Sequence, residues 1–259
     1  MAAYLLALLI GLVLGLVGSG GSIITLPVLV YTFGISAVTA TTYSLFIVGT
    51  AALAGAVQQI VKRNVHFESL FFFGLTSVIT VLLVRRFVLH ALPDVLFIVG
   101  DVIVTRDRML MVAFAALMLM AVRSMWRKEE TENVKPQPSR LRLSLYGIAI
   151  GLLTGLVGAG GGFVIVPALV LYAGLPIRTA IGTSLSIIAV NSFSGFFSDA
   201  SYQRGIDWVF LLEFTGIAVV GIFIGAAVNK RIPSAKLKRV FAGFVAVMAV
   251  YILVREFWM

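Results

Sequence analysis

The sequence lacks cysteine and is poor in histidine and in charged residues, and each shortage excludes a class of chemistry. Without cysteine there is no disulfide, no thiolate metal ligand and no cysteine nucleophile. The two histidines, His66 and His90, are too few to build a histidine metal cluster. We therefore expect no metal site and no cofactor. Charged residues make up 12% of the chain, whereas soluble domains contain about 25%.

Apolar residues dominate what is present. They account for 60% of the 259 residues, and the mean hydropathy is +1.08. A soluble fold of this length could not bury so much apolar surface, so the composition indicates a protein surrounded by lipid. The formal net charge is +9. The basic residues lie between apolar runs, where lipid headgroups and the cytoplasmic preference of Lys and Arg account for them, and no nucleic acid is expected.

The apolar runs predict membrane-spanning helices, which need about 20 apolar residues each. The runs lie at about 3–33, 37–61, 67–91, 109–126, 143–175, 177–200, 207–229 and 237–257. The first and fifth are too long for one straight helix, and each contains a glycine cluster that favours a break. The sequence therefore predicts an all-α polytopic membrane protein with about four apolar segments in each half.

Two polar stretches interrupt this pattern. Residues 127–142 are charged and contain two prolines, which is typical of a linker. This stretch divides the chain into a first transmembrane repeat, 1–126, and a second, 143–259. The other polar stretch, about 92–108, has an apolar core at Val95–Val99, for which we predict a short interfacial helix.

The two halves are related in sequence. When residues 11–55 are laid on residues 151–195 without a gap, 18 of 45 positions are identical. Apolar composition alone would not align the glycines, the proline and a Ser-Leu pair in one register. Internal duplication is common in transporters, whose sites lie at the repeat interface near the middle of the membrane.

The orientation of the two halves depends on the glycine-broken segments. If those segments cross the membrane, ten Lys and Arg residues lie on each side, and the charges select no orientation. If they re-enter and return to their starting side, fourteen basic residues lie on one side and six on the other. This bias favours an inverted repeat over a parallel one, with the linker in the cytoplasm.

The glycine clusters are the first candidates for a binding site. A break within the membrane exposes backbone N–H groups at a new helix N-terminus, and such groups bind anions. The alternative is close helix packing through small residues, which accounts better for isolated glycines such as Gly147 and Gly221. The candidates are Gly18, Ser19, Gly20, Gly21 and Ser22 in the first half and Gly158, Gly160, Gly161 and Gly162 in the second.

Polar side chains on the following apolar segment are the second group of candidates. Asn191 is costly in the middle of a membrane unless it has a partner or lines a wet cavity. Hydroxyl groups often bond to their own helix backbone instead, without a functional role. The substrate-binding candidates are Thr42, Tyr43, Ser44, Thr183, Ser184, Asn191 and Ser194.

Charged and amide residues near the spans are candidates for gating or coupling. Arg85 and Arg86 interrupt an apolar run, and charges there are expensive. Glu213 could take up a coupling proton, although such residues near helix ends more often pair locally or reach the interface. The gating or coupling candidates are Gln58, Gln59, Arg178, Asp199 and Glu213. No catalytic constellation and no nucleotide-binding loop is present, so we expect no enzyme.

The motifs resemble one known family. The pattern GLxxGLVGxGGGxxxxPxLVxxxGLPxxxAIGTSL at 151–185, its degenerate copy at 11–45 and the motif RGIDW at 204–208 resemble the TauE/SafE sulfite exporter family, also called the 4-toluene sulfonate uptake permease family. The first copy departs from the pattern at Thr42 and Tyr43, which replace a Gly-Thr pair. The resemblance implies a carrier of the inner membrane that moves sulfite, sulfoacetate or other small organosulfur anions, with proton coupling.

The leading hypothesis is therefore a secondary transporter, an exporter of a small sulfur-containing anion. Expected partners are the anionic substrate, the lipid bilayer and a coupling proton, with a homodimer left open. A passive channel for small anions or neutral solutes is the alternative, because pores use similar half-helix ends. A membrane enzyme or assembly factor is the third class, and the absence of acid–base clusters argues against the enzyme.

Overall fold

The computed structural model describes residues 2–17, 21–89, 91, 93, 95–99, 102–126, 139–157, 162–200, 206–229 and 234–258. The first half contains α1 (Ala2–Val17), α2 (Gly21–Tyr31), α3 (Ala37–Val61), α4 (Phe67–Ser69), π1 (Leu70–Gly74), α5 (Leu75–Leu83), π2 (Val84–Leu89), β1 (Val95–Val99), β2 (Val102–Thr105) and α6 (Arg106–Trp126). The second contains α7 (Arg140–Val157), α8 (Gly162–Leu171), α9 (Ile177–Ala200), α10 (Trp208–Asn229) and α11 (Ser234–Trp258). The segments from α4 to π2 follow one another as one irregular helix.

Four helical segments among the described residues are long and apolar enough to span a membrane. They are Ala37–Val61, Phe67–Val88, Arg178–Asp199 and Trp208–Val228. Large apolar side chains on them point outwards, as Val61, Phe71 and Phe223 do with more than half of their surface exposed. Lipid is the solvent that tolerates such a surface. The prediction of a mainly helical, multi-pass membrane protein is confirmed.

The central element is the pair α3 and α9, which pack antiparallel. A Cβ built on Gly49 would lie 3.0 Å from Ser192 Cβ, and one built on Gly55 would lie 3.2 Å from a Leu185 methyl group. Moving along α3 therefore means moving backwards along α9. Buried residues of both helices contribute to one continuous apolar core.

Helix α1 packs parallel to α10 through glycines on both partners. A Cβ on Gly15 would overlap the carbonyl oxygen of Ile222, and one on Gly225 would lie 2.9 Å from the amide nitrogen of Leu16. Gly11 and Gly221 make the same kind of contact one turn earlier. Such close backbone approach is the small-residue packing that membrane helices use.

The second half repeats this arrangement with the roles of the halves exchanged. Helix α7 packs parallel to α5, and a Cβ on Gly151 would lie 2.7 Å from the carbonyl oxygen of Ser77. One turn further, a Cβ on Gly155 would lie 3.0 Å from Val84 Cβ. The small-residue alternative considered for the isolated glycines therefore accounts for their positions in the structure.

The helix directions follow from these contacts and from those of α3 with α10. Tyr43 stacks near Phe210, with ring centroids 6.2 Å apart, and a Cβ on Gly55 would lie 3.4 Å from Ile222 Cδ1. A Cβ on Gly74 would lie 3.4 Å from Ile187 Cγ1 and one on Gly195 would lie 3.5 Å from Val81 Cγ1, so α5 runs parallel to α9. Helices α1, α3 and α10 therefore run in one direction, whereas α5, α7 and α9 run in the other. We call the end of the bundle where α1, α3 and α10 begin the first end, and the opposite end the second end.

A matched glycine ends the second helix of each half. Gly34 and Gly174 have φ of 66° and 65°, which side chains rarely adopt. Beside them, Ile35 N donates to Leu29 O at 3.2 Å, and Leu175 N donates to Leu169 O at 3.1 Å. This six-to-one hydrogen bond is typical of a Schellman helix end, and it explains why the glycine is found in both halves.

The interfacial helix predicted around Val95–Val99 is wrong, because this segment is a β-strand. It pairs antiparallel with Val102–Thr105, with Val99 opposite Val102, and a bulge lies between Val95 and Phe97. The segment is rich in β-branched residues, which favour strands. A Gly-Asp pair separates the two runs in the sequence, and such a pair favours a hairpin over a helix.

Candidate functional site

Buried polar side chains gather where α3, α5, π2 and α9 meet. Each of these helices contributes at least one side chain that is almost fully buried, although the outer surface of the bundle is apolar. A polar interior inside an apolar exterior is expected where a membrane protein handles a polar solute. The buried polar residues of these helices are Thr41, Thr42, Ser44, Ser77, Arg85, Thr183, Ser184, Ser186, Asn191, Ser192 and Asp199.

An ion pair joins the two halves near the first end. The Arg85 guanidinium of π2 donates through Nη1 to Asp199 Oδ2 of α9, and their side chains are 0% and 2% exposed. Thr42 Oγ1 of α3 donates to the same carboxylate oxygen at 2.9 Å. Asp199 Oδ1 is buried and has no hydrogen-bond partner among the described residues. Three helical elements therefore converge on one carboxylate.

A second polar contact lies deeper along α9. Asn191 Nδ2 donates to Ser77 Oγ of α5 at 2.7 Å, and both residues are buried. Asn191 Oδ1, together with Ser192 Oγ and Ser44 Oγ, is buried without a hydrogen-bond partner in the part of the chain that the structure describes. Buried acceptors and donors of this kind are rare unless a solute, an ion or water meets them.

The remaining hydroxyl candidates bond to the protein itself. Thr183 Oγ1 accepts a hydrogen bond from His66 N at 2.9 Å, and Tyr43 OH accepts one from Asp207 N at 2.8 Å. Ser184 Oγ donates to Ile181 O of its own helix at 2.9 Å. These three groups therefore fasten helix ends or satisfy their own backbone in this conformation.

The glycine clusters lie mostly outside the described residues. This holds for Gly18, Ser19, Gly20, Gly158, Gly160 and Gly161. Of the remaining candidates, Gly21 and Ser22 begin α2 and Gly162 begins α8. Two short helices therefore start directly after the clusters, as the break hypothesis expects. Anion binding at these positions remains a prediction.

The gating candidates are scattered over the bundle. Gln59 Oε1 accepts from Asn64 Nδ2 at 3.1 Å near the second end, and Gln58 lies beside it, half-buried. Arg178 is exposed at the start of α9. Glu213 is exposed and accepts from Tyr4 OH at 3.1 Å. Of the candidates for gating or coupling, the structure brings only Asp199 to the buried polar cluster, and Ser194 lies half-buried on the same helix.

A cavity of about 430 Å³ lies at the first end, outside this cluster. Its charged walls are already bonded to neighbours. Asp107 Oδ2 accepts from Ala37 N at 3.1 Å, Tyr31 OH donates to Glu256 Oε1 at 2.8 Å, and Arg108 donates to the carbonyl oxygen of Glu256. These bonds tie α2, α3, α6 and α11 together, which is a structural role.

Two residues of the cluster were not predicted as site residues. Arg85 stood out in the sequence only as an expensive charge, and Ser77 did not stand out at all. A signal for Arg85 was present, because an arginine and an aspartate inside two apolar segments predict a pair that neutralises both. No comparable signal exists for Ser77, because serine is common in membrane helices.

The fold and the cluster define a multi-pass helical membrane protein with a polar interior between its halves. Residues 3–252 match the family described as Sulfite exporter TauE/SafE. The chain belongs to this family, which is a family of membrane transporters.

Individual relatives agree with this assignment. A probable membrane transporter protein of Xylella fastidiosa strain Temecula1 is 30% identical over 252 residues, covering 96% of this chain and 92% of that protein. The probable membrane transporter protein YdhB of Bacillus subtilis is 38% identical over 42% of this chain and 44% of YdhB. The probable membrane transporter protein YunE of the same organism is 28% identical over 88% of this chain and 89% of YunE. No solved structure matches the chain.

Proposed function

We propose that the protein is a secondary transporter that exports a small sulfur-containing anion, such as sulfite or sulfoacetate, across the inner membrane. Family membership supports the transport class and the sulfur chemistry. The observation that carries the proposal for this chain is the buried polar cluster between its halves, with an arginine inside an otherwise apolar bundle. No motif for ATP binding is present in the sequence, so transport would use ion or solute gradients.

We further propose that repeats 1–126 and 143–259 are inverted, with the linker 127–142 in the cytoplasm. The antiparallel packing of α3 on α9 supports this, because these two helices occupy matching positions in the halves. Helices α1 and α3 both begin at the first end, and α7 and α9 both begin at the second. The segments that contain the glycine clusters would therefore enter the membrane and return to their starting side.

The substrate site would lie between these returning segments and the polar cluster. Helix N-termini at the glycine clusters would supply backbone N–H groups to the anion. Buried oxygens that lack a hydrogen-bond partner among the described residues, on Ser44 and Asn191, would complete the shell through the serine hydroxyl or through water. A sulfonate accepts many hydrogen bonds and keeps its charge at physiological pH, so fixed donors suit it.

Binding and transport of sulfur anions test this proposal. The purified protein should be stabilised against heat by sulfite or sulfoacetate, by about 2.7 kcal/mol at one hundred times the Kd, and acetate should have little effect. Proteoliposomes should take up the same anions with saturable kinetics. The absence of both effects for every sulfur anion, or a flux that does not saturate and reaches channel rates, would contradict the proposal.

The orientation of the halves can be tested with cysteines, since the natural chain has none. Ser36 and Pro176 occupy matching exposed positions before α3 and α9. In inverted halves, Ser36→Cys should react with a membrane-impermeant maleimide on intact cells, whereas Pro176→Cys and the linker-side Ser139→Cys should react only after permeabilisation. Equal labelling of Ser36→Cys and Pro176→Cys on intact cells would show parallel halves.

A further inference from the structure

The buried pair of Arg85 and Asp199 is unusual because both charges lie inside a bundle that faces lipid. Each charge is costly there, and the pair is tolerated only because each neutralises the other. Arg85 comes from the first half and Asp199 from the second, so the contact spans the interface between the halves. A movement of one half against the other would pull on this contact.

The fold makes specific room for Arg85. The residue lies in π2, and π-helical turns inside α-helices often occur at functional sites. Opposite it, a Cβ built on Gly195 would lie 3.3 Å from Arg85 Cδ and 3.0 Å from a Leu45 methyl group. A larger residue at position 195 would therefore push the arginine out of place.

The matching place in the other half shows that helix packing does not need these charges. In the other half, Asp199 and Thr42 correspond to Gln59 and Gly182 in the register of the alignment. Arg85 corresponds to Ala226, because the contact of Gly151 with Ser77 matches that of Gly11 with Ala218. There, a Cβ built on Gly182 would lie 3.1 Å from Gln59 Cβ, so α3 and α9 touch directly without an ion pair. The crossing of α3 and α9 therefore contains an ion pair near the first end, whereas its counterpart near the second end does not.

The hydrogen bonds of Asp199 leave one oxygen available. Oδ2 accepts from both Arg85 and Thr42, whereas Oδ1 is buried and has no hydrogen-bond partner among the described residues. A proton on Oδ1 would neutralise the carboxylate and weaken its hold on the guanidinium. Of the charged groups nearby, Arg85 faces Asp199, while Arg86 on π2 and Asp207 before α10 are exposed.

We propose that the Asp199 carboxylate binds Arg85 while no substrate is present, and that the transported anion replaces it at Arg85 when Asp199 takes up a proton. This inference rests on the proposed function. The proton forms an O–H bond at Asp199, the ion pair opens, and an oxygen of the anion replaces the carboxylate at the guanidinium. Arg85 is thus the cationic ligand of the anion, and one proton accompanies each anion that binds it.

The charge balance of this exchange suits a membrane carrier. Without substrate, the arginine and the aspartate sum to zero. With substrate, the arginine and the bound anionic group again sum to zero, because the aspartate is protonated. The Arg85 site is therefore neutral in both states, so the exchange of one anionic group for the other leaves no unpaired charge in the low-dielectric interior. The coupling works in both directions, so an anionic product that accumulates in the cytoplasm would leave together with a proton.

The decisive comparison uses proteoliposomes with sulfoacetate as the probe. With a pH gradient of one unit, acidic outside, and the membrane potential held at zero, one proton per anion predicts about tenfold accumulation inside the vesicles for the wild type. Asp199→Asn should still exchange labelled for unlabelled sulfoacetate but should accumulate none against the gradient. Glu68→Gln, an exposed carboxylate paired with Arg140, should accumulate like the wild type.

A double variant separates a structural role from a functional one. Arg85→Gln combined with Asp199→Asn removes both charges, so that this crossing resembles its uncharged counterpart in the other half. The double variant should fold but should neither exchange nor accumulate sulfoacetate. Wild-type transport by this variant would overturn the inference, and so would pH-driven accumulation by Asp199→Asn.

The wild type alone also tests the inference, whichever variants fold. A pH-sensitive dye should report that one proton enters with each sulfoacetate during uptake. Uptake of sulfoacetate without any proton movement would overturn the role of Asp199 and leave the transport function intact. If neither sulfoacetate nor sulfite is bound or transported by the wild type, the proposed function itself fails.

Discussion

Gly221→Ala should lower the melting temperature of the protein markedly, whereas Gly216→Ala on the same helix should leave it unchanged or slightly higher. A Cβ at 221 would overlap the carbonyl oxygen of Leu8 and lie 2.9 Å from the amide nitrogen of Leu12, whereas a Cβ at 216 would meet nothing within 4 Å. The contacts at 221 are backbone atoms, which cannot turn aside as a side chain can. Helix α1 would have to separate from α10.

The matched substitutions cancel the effect of alanine on helix stability. Alanine in place of glycine favours a helix by about 1 kcal/mol at either position, so the difference between the variants reports packing alone. Overpacking costs about 1–3 kcal/mol, and we expect the upper part of this range. The measurement is thermal unfolding in detergent, followed by the fluorescence of the three tryptophans.

Gly151→Ala extends the test to the other half. Its Cβ would lie 2.7 Å from the carbonyl oxygen of Ser77 on α5, so its effect should match that of Gly221→Ala. Equal melting temperatures for Gly216→Ala and Gly221→Ala would contradict the close packing of α1 on α10.

Most helices could be predicted because their signals are local. The apolar runs 37–61 and 177–200 agree with α3 (Ala37–Val61) and α9 (Ile177–Ala200). Each follows a turn in which the glycine at 34 or 174 ends the preceding helix. Run length, glycine and proline together determine where such a helix begins and ends.

The polarity of the stretch around Val95–Val99 and Val102–Thr105 does not predict the hairpin that the structure contains. A short apolar run between polar residues suits an amphipathic interfacial helix, but the same run also satisfies a strand when it is rich in valine and isoleucine. The β-branched composition on both sides of the Gly-Asp pair was the stronger signal.

The candidate site could be predicted only in part, because its central contact is long-range. Asp199 and Thr42 were named from the sequence, but their pairing with each other and with Arg85 depends on the antiparallel packing of α3 on α9. The register of that packing is set by Gly49, Gly55 and Gly182 at the helix crossing. Sequence alone shows these glycines without showing which residues they bring together.

Arg85→Gln alone should destabilise the protein at neutral pH by about 3–5 kcal/mol, the usual cost of removing one partner of a buried ion pair. The Asp199 carboxylate would stay buried beside Thr42 without its cation. Arg86→Gln is the matched control, because the neighbouring residue on π2 is exposed, and substitutions at such positions change stability by at most about 0.5 kcal/mol.

The pH dependence of the Arg85→Gln variant identifies the cause of its instability. The instability comes from a buried negative charge, and protonation of Asp199 neutralises that charge. The melting temperature of Arg85→Gln should therefore rise towards that of the wild type as the pH falls from 7.5 to 5. Asp199→Asn added to Arg85→Gln should restore stability at both pH values. If Arg85→Gln melts like Arg86→Gln at pH 7.5, Asp199 does not depend on Arg85 for its charge. A carboxylate that can lose its charge inside the bundle without unfolding it is what a proton-coupled carrier needs, so this stability measurement and the transport measurements test the same property independently.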